Sequence, residues 1–198
     1  MSTPSTTIEE AGLSWKLPER GPVAMYCLIG AEVGVFTIFL IAYIFYIGKS
    51  LTGPQPRDVL HLPIFATICL LSSSITIHFA VRSLRRGKIA SFGLGWFLTI
   101  VLGSIFLLGT LQEWRQLIYD EGLTIGTNLF GTTYYSLVGL HAFHVTVGLL
   151  ALALVMVFTL RGDLGEQHVE RTEVLSMYWH FVDVVWVIVF IVVYMIGR

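Results

Sequence analysis

The sequence predicts an all-α membrane protein built as a bundle of five transmembrane helices. Hydrophobic residues make up 55% of the 198-residue chain and charged residues only 13%, whereas about a quarter of the residues in a soluble domain are charged. The mean hydropathy is +0.77. Five apolar runs are long enough to cross the hydrocarbon of a bilayer, which takes about 20 residues at 1.5 Å per residue. These runs lie at about 22–47, 62–82, 92–114, 131–160 and 176–197.

The first predicted helix, residues 22–47, follows a polar N-terminal tail formed by residues 1–21. The tail is rich in Ser and Thr and contains Pro4 and Pro18. It lacks the basic start and the apolar stretch of a cleaved signal peptide. The first apolar run ends at GKSLTGPQPRD, whose glycines and prolines predict a loop. We therefore divide the chain into this tail and one five-helix domain, residues 22–198.

The other four predicted helices are separated by charged, glycine-containing loops. The second helix is followed by RSLRRGK, the third by RQLIYDEGLTIGTN and the fourth by RGDLGEQHVERTE. Such segments between apolar runs are typical of connections between helices. The chain contains no evident internal repeat, and no crossing is broken in mid-helix, so a transporter built from inverted repeats has little support.

Lys and Arg are divided unevenly between the two sides of the predicted bundle. The side with the tail and the second and fourth loops holds Lys16, Arg20, Arg82, Arg85, Arg86, Lys88, Arg161 and Arg171, and the other side holds Lys49, Arg57, Arg115 and Arg198. Because cytoplasmic loops carry the excess of positive charge, the N-terminus is predicted to be cytoplasmic and the C-terminus outside. No basic patch of the kind that binds nucleic acid is present in the sequence.

Glu32 and His141 are predicted to lie at matching depths in the membrane. Glu32 is about 10 residues into the first helix from the inside, and His141 is about 10 residues into the fourth from the outside, so both are roughly 15 Å deep. Ionisable residues at such depth usually face the bundle interior and pair with one another. We therefore predict contact between Glu32 and His141, directly or through one water. A proton-carrying role for Glu32 is the alternative, but no chain of carboxylates crosses the bilayer, which favours a structural role.

His141 and His144 lie three residues apart and share one helix face with Gly148. A metal site would require further ligands at fixed distances. Haem ligation would require histidines at equal depth on facing helices, and only His78 and His180 roughly meet that condition. The sequence therefore favours packed, hydrogen-bonded histidines over metal ligands.

His180 and Asp183 are also three residues apart, on one face of the fifth helix, and are predicted to form a structural pair. The two cysteines, Cys27 and Cys69, fall in separate apolar runs without CxxC spacing. This placement favours neither a disulfide nor a zinc site.

Six segments of the chain carry a pattern known from one protein family. They are AEVGVFTIFLIAY, LLSSSITIHFAVRSLRRGK, LGSIFLLGTLQEW, NLFGTTYYSLVGLH, GLHAFHVTVG and YWHFVDVVWVIVFIVVY. In this order they resemble subunit III of haem-copper terminal oxidases, the cytochrome c oxidase subunit III family. The resemblance extends from about Gly21 to the end, and YWHFVDVVW is its most specific part. The longer members have two further N-terminal helices, so this chain resembles the short five-helix bacterial form.

The resemblance implies a non-catalytic subunit of a proton-pumping oxidase in the bacterial cytoplasmic membrane. It implies that this chain binds no cofactor and that haem and copper reside in partner subunits. Glu32 falls at the family's buried glutamate, while His141, His144, His180 and Asp183 fall within its histidine and aspartate motifs. These five residues are therefore expected to be buried polar groups with a structural or proton-related role. The family is associated with stability, sustained turnover, proton uptake and bound phospholipid.

The partners expected from the resemblance are the catalytic subunit I, other oxidase subunits and membrane lipids, and membership of a respiratory supercomplex is left open. Arg82, Arg85 and Arg86, at the end of the second helix, are candidate contacts for lipid headgroups. We expect cytochrome c to be the electron donor. Subunit III of a quinol oxidase or a nitric oxide reductase-associated relative is the alternative.

A hypothesis from a different class is a free-standing membrane enzyme that binds haem or quinone. It would use the histidines of the apolar runs, which are His78, His141, His144 and His180. An isolated chain that kept a haem absorption band through purification would favour it.

Overall fold

The computed structural model describes residues 20–50, 53–60, 62–165 and 168–197 of the chain. In these ranges the chain forms α-helices and no strand. The helices are α1 (Arg20–Tyr46), α2 (Pro56–Val59), α3 (Ile64–Leu84), α4 (Ile89–Tyr119), α5 (Leu129–Arg161) and α6 (Val169–Phe190), and α6 continues into a π-helical segment (Ile191–Ile196). Five of them are long and apolar enough to cross a membrane, the last formed by α6 with its π-helical continuation. The prediction of an all-α, five-helix membrane protein is confirmed.

Most helix ends lie within a few residues of the predicted ones, but α6 begins seven residues earlier. The segment Val169–Glu173 is polar and was therefore assigned to the loop, yet it contains neither Gly nor Pro and continues the helix outward. At the other end of the chain, α1 includes Arg20 and Gly21, which were assigned to the polar tail. Residues 1–19 of the predicted tail lie outside the described residues.

Local capping defines both ends of α5. The Asn128 side chain accepts a hydrogen bond of 2.8 Å from the Gly131 backbone N–H, which satisfies one of the free donors of the first turn. At the other end, Gly162 adopts φ 78° in the left-handed region, and its N–H bonds to the last-turn carbonyls. This is the usual glycine termination of a helix. These caps fix the length of the helix that carries His141 and His144.

Indole rings of α6 occupy the centre of the bundle. Trp179 and Trp186 are almost fully buried, and their Nε1 atoms donate hydrogen bonds to α3, at 2.9 Å to Ser73 Oγ and 3.1 Å to Thr67 Oγ1. The crossing formed by α6 is accordingly the most enclosed. In its most apolar 18-residue stretch 56% of the residues are buried, against 11% in that of α1. The core is therefore organised around α6, and α1 lies at its periphery.

Candidate functional site: polar contacts inside the bundle

Glu32 of α1 contacts α5, but through His144 rather than His141. Glu32 Oε2 lies 3.1 Å from His144 Nε2, with the glutamate side chain 25% exposed and the histidine side chain 8% exposed. The predicted pairing of Glu32 with His141 is therefore wrong by one helical turn. The depth estimate came within about one helical turn of the partner, but a count at 1.5 Å per residue could not distinguish two histidines only three residues apart on the same face.

The contacts of His144 define the tautomer of its ring. Nδ1 lies 2.8 Å from the Leu140 carbonyl oxygen, which can only accept, so Nδ1 carries a proton. Nε2 then faces the Glu32 carboxylate. Phe36 packs against the ring at 5.0 Å between centroids, and the Tyr178 hydroxyl donates to the His144 carbonyl at 3.1 Å. The pair is thus held by three helices.

His141 is fully buried in an aromatic cage. Its ring stacks on Trp186 at 5.0 Å between centroids and meets the edge of Phe106 at 5.7 Å. Neither ring nitrogen has a hydrogen-bond partner within the described part of the chain. His141 and His144, although three residues apart, therefore occupy different surroundings: one is packed against aromatic rings and the other is paired with a carboxylate.

His180 and Asp183 are joined through a residue of another helix. Ser74 of α3 lies 2.9 Å from His180 Nδ1 and also hydrogen-bonds Asp183 Oδ2. Because the hydroxyl has one hydrogen, it accepts from one partner while it donates to the other. The predicted structural pair is thus a three-membered chain, His180–Ser74–Asp183, that ties α6 to α3. The signal for Ser74 in the sequence was a run of three serines inside an apolar segment, which by itself indicates only close helix packing.

A second polar cluster that the sequence did not reveal lies at the other end of the bundle. The Tyr194 hydroxyl lies 2.9 Å from both carboxylate oxygens of Glu113 and donates to them. Tyr134 lies 3.3 Å from the same hydroxyl. The position of Glu113 at the end of an apolar run indicates only a place near the membrane interface, but Tyr194 hydrogen-bonds it and Tyr134 bonds in turn to Tyr194. The hydroxyl groups of buried tyrosines were the missed signal.

The arginines at the end of α3 do not act together. Arg82 and Arg85 line a groove of about 500 Å³ between α3 and α6, together with His78, Glu173 and His180. Arg85 Nε lies 2.5 Å from a Glu173 carboxylate oxygen. This hydrogen bond raises the pKa of the guanidinium above its usual value, so Arg85 stays charged.

Arg86 is not among the residues of the groove. It is exposed at the turn that follows α3.

The candidate ligand residues of the described ranges do not form a metal-binding group. No three His, Cys, Asp or Glu side chains come together there in a way that could hold an ion. His78 and His180 line the same groove, and His180 Nδ1 bonds to Ser74. Cys27 is exposed and Cys69 is buried, and both are free thiols.

Comparison with known proteins places these contacts in a family. The family model for cytochrome c oxidase subunit III matches residues 30–198. The chain belongs to the cytochrome c oxidase subunit III family. Every residue of the contacts described above lies within the matched range, and the resemblance seen in the sequence is confirmed. As a member of this family the chain is a multi-pass protein of the bacterial cytoplasmic membrane and part of an oxidase complex.

The chain is similar both to subunits named for cytochrome c oxidases and to subunits named for quinol oxidases. Cytochrome c oxidase subunit 3 of Bacillus sp. strain PS3 is 31% identical over 177 residues, covering 88% of this chain and 85% of the relative. Cytochrome c oxidase subunit 3 of Corynebacterium diphtheriae is 41% identical over 132 residues, covering 66% and 63%. Quinol oxidase subunit 3 of Bacillus spizizenii is 28% identical over 177 residues, covering 88% and 86%. The family membership is therefore common to oxidases of both kinds.

Proposed function

We propose that this chain is a non-catalytic subunit of a proton-pumping respiratory oxidase that reduces oxygen to water. It packs against the catalytic subunit I and other subunits, which hold the haem and copper. The proposal rests on one observation: the membrane-embedded ionisable groups bond to side chains of other helices. Glu32 is paired with His144, Asp183 with Ser74, and Glu113 with Tyr194, so these groups join helices to one another.

The external surface of the bundle supports a role in covering another subunit. Large apolar side chains are exposed along α1, including Ile38 at 68% and Ile41 at 61%. Inside a complex such a surface faces lipid or partner helices, because no water is available there. A rigid bundle with an apolar outer face is suited to shielding the catalytic subunit and to shaping the path by which protons reach it. Sustained activity and proton uptake are therefore the functions we assign to it.

The test is oxygen consumption followed over time, by the complete oxidase and by the complex without this chain, at two pH values. We expect the initial rate to be largely kept without the chain, because the barrier to oxygen reduction is set at metals held elsewhere. Activity should then decay during turnover, and it should decay faster at the higher pH, where protons are scarce. Glu32→Gln in the complete complex keeps the shape of the side chain and should be much milder than removal of the chain.

The haem and copper contents of both preparations serve as the control. If the complex without the chain keeps all its haem and copper but loses its initial rate entirely, the chain has a catalytic role and the proposal is wrong. Equal decay in the two preparations would contradict the role in sustained turnover.

For the electron donor we propose cytochrome c, on the basis of the relatives named cytochrome c oxidase subunit 3, one of them 41% identical over 132 residues. A quinol donor is the second candidate, because a subunit named for a quinol oxidase is 28% identical over 177 residues. The purified complex should oxidise reduced cytochrome c and leave a soluble quinol unreacted. The reverse result would assign the chain to a quinol oxidase.

A further inference from the structure

The groove between α3 and α6 lies at the end of the bundle where the N-terminal tail enters α1. Helix α3 ends there, and both α1 and α6 begin there. Two facing rows of side chains form the groove, and its volume is about 500 Å³. On α3 the row contains His78, Val81, Arg82 and Arg85, and on α6 it contains Glu173, Ser176, Met177 and His180.

The start of α1 lies against the helix that forms one wall of the groove. A Cβ atom added at Gly21 would lie 3.1 Å from Glu170 Oε1 and 3.4 Å from Val174 Cγ2. Glu170 is only three residues before Glu173, so α1 and the groove adjoin neighbouring parts of the α6 surface. The ten residues before Arg20 can span up to about 33 Å when extended, whereas a helix is about 10 Å across. The tail can therefore reach around α6 into the groove.

The groove offers an unpaired positive charge beside an apolar wall. Arg85 is paired with Glu173, and these two charges cancel. Arg82 is exposed in the last turn of α3 and has no carboxylate partner within the described part of the chain. The side chains of Val81 and Met177 line the same groove. A partner that fits it carries a carboxylate and apolar groups close together.

The tail itself contains such a segment at residues 8–15, which lie outside the described part of the chain. Its sequence is IEEAGLSW. Glu9 and Glu10 give it two negative charges, and it contains neither Lys nor Arg. Its large apolar residues are Ile8, Leu13 and Trp15. The charge and the apolar groups of the segment thus complement those of the groove.

We propose that residues 8–15 of the tail bind in this groove and bring their carboxylates to Arg82. The apolar side chains of the segment then cover Val81 and Met177. Because the segment is joined to α1 by a few residues, its effective concentration at the groove is on the order of millimolar, which favours it over the tail of a second copy. Helix α1 is the least enclosed of the five crossings. The bound tail therefore gives α1 a further attachment, to α3.

The test is disulfide crosslinking of the full chain in isolated membranes, in a Cys27→Ser background whose remaining native thiol, Cys69, is buried. Ala11→Cys places a thiol beside the two tail carboxylates, and Met177→Cys places one in the groove. A mild oxidant should join these thiols within one chain, because a disulfide requires Cα atoms within about 7 Å of each other. Asp163→Cys is the matched control for Met177→Cys. It is exposed at the same end of the bundle but outside the groove, and should give little crosslink with Ala11→Cys.

Charge reversal tests the contact with the arginine. Arg82→Glu should lower the yield of the crosslink about fivefold, the upper end of the effect of an exposed ion pair. Adding Glu9→Arg and Glu10→Arg to Arg82→Glu should restore the yield. Arg86→Glu, at the same helix end but outside the groove, should leave it unchanged. Glu9→Gln with Glu10→Gln should also lower the yield, and it alters no residue of the described helices.

Equal crosslinking of Ala11→Cys to Met177→Cys and to Asp163→Cys would overturn the proposal, as would equal effects of Arg82→Glu and Arg86→Glu. A crosslinked dimer in place of the internal crosslink would show that the groove holds the tail of a second copy, and would overturn the assignment within one chain. A crosslink that forms only after the membranes are dissolved in detergent would show that lipid fills the groove in the membrane, and would overturn the proposal as well.

Discussion

At the residue scale, neighbouring histidines of one helix have different partners. His144 is paired with Glu32, whereas His141 lies between Trp186 and Phe106 with both nitrogens unbonded in the described chain. Substitutions of His144 and of His141 should therefore have different effects on the structure. Removing His144 leaves a carboxylate without its partner, and removing His141 leaves a space between aromatic rings.

Two double-mutant cycles distinguish the observed pairing of Glu32 with His144 from the predicted pairing of Glu32 with His141. Glu32→Gln and His144→Gln should each destabilise the chain, and the double variant should be more stable than the sum predicts by about 0.6 kcal/mol and at most about 1.7 kcal/mol, the average and the maximum measured for side-chain hydrogen bonds in membranes. The cycle of Glu32→Gln with His141→Phe should be additive. The measurement is unfolding of the purified chain by denaturing detergent. Coupling in the second cycle and none in the first would contradict the structure.

A second prediction concerns the hydrogen-bonded series His180–Ser74–Asp183. Ser74→Ala removes both hydrogen bonds and leaves Asp183, which is 3% exposed, without a partner. An unsatisfied buried polar group costs about 1–3 kcal/mol, so the free energy of unfolding should fall by that amount. Ser72→Ala, two residues away on the same helix, is the matched control and should change stability little. Equal melting temperatures for the two variants would count against the bridge.

The sequence indicated most of the ionisable residues of the polar contacts but not their partners. Depth follows from counting residues at 1.5 Å each, and it correctly placed Glu32 near the middle of α5. The choice between His141 and His144 does not follow, because they lie three residues apart on one face and the ends of the apolar runs are defined only to within a few residues. The roles of Ser74 and Tyr194 were missed for a related reason: a hydroxyl group tolerates either an apolar or a polar neighbour, so its partner depends on the packing of a distant helix.

At the scale of the helices, the close packing of α4, α5 and α6 depends on two glycines. A Cβ atom added at Gly148 would lie 2.8 Å from Trp179 Cζ3, and one added at Gly103 would lie 2.8 Å from Trp179 Cη2. The indole ring of Trp179 therefore packs between α4 and α5 against Gly103 and Gly148, where there is no room for a side chain. Small residues permit such close approach of helices in membranes.

Gly148→Ala should consequently destabilise the bundle by about 1–3 kcal/mol, the usual cost of overpacking a core. Gly34→Ala on α1 is the control, since a Cβ there meets no atom within 4 Å. It should be neutral or stabilising by less than about 1 kcal/mol, because alanine favours the helix more than glycine does. The measurement for both variants is the free energy of unfolding, obtained by titration with a denaturing detergent. Trp179→Phe, which shortens the ring, should rescue part of the Gly148→Ala defect; no rescue would mean that Trp179 is not the group that clashes.

Helix ends were predicted less well than helix number, and the reason is physical. The number of crossings follows from apolar length alone, which the bilayer requires. The ends are set by capping and by turns such as Asn128 and Gly162, and polar residues such as Glu170 can continue a helix beyond the hydrocarbon. The sequence marks the part of each helix inside the membrane, and α4 and α6 extend past it.

At the scale of the whole molecule, the five crossings of the described residues place the start of α1 and the end of the last crossing on opposite sides of the membrane. The loop between α3 and α4 carries three of the twelve Lys and Arg residues, and Arg82 adds a fourth in the last turn of α3. This loop and the α5–α6 loop lie at the same end of the bundle, and the α4–α5 loop lies at the other. The excess of positive charge predicts that the α3–α4 end is cytoplasmic.

Cysteine labelling of intact cells tests this orientation. Asp163→Cys places a thiol in the α5–α6 loop and Glu121→Cys places one in the α4–α5 loop, both at exposed positions. Each replaces an acidic residue, so the balance of Lys and Arg that determines the topology is unchanged. Both are made in a Cys27→Ser background, because Cys27 is exposed and Cys69 is buried. A membrane-impermeant maleimide should label Glu121→Cys on intact cells, and Asp163→Cys only after permeabilisation. The opposite pattern would invert the predicted topology and would place the groove of Arg82 at the outer surface, whereas labelling of both positions would indicate mixed insertion.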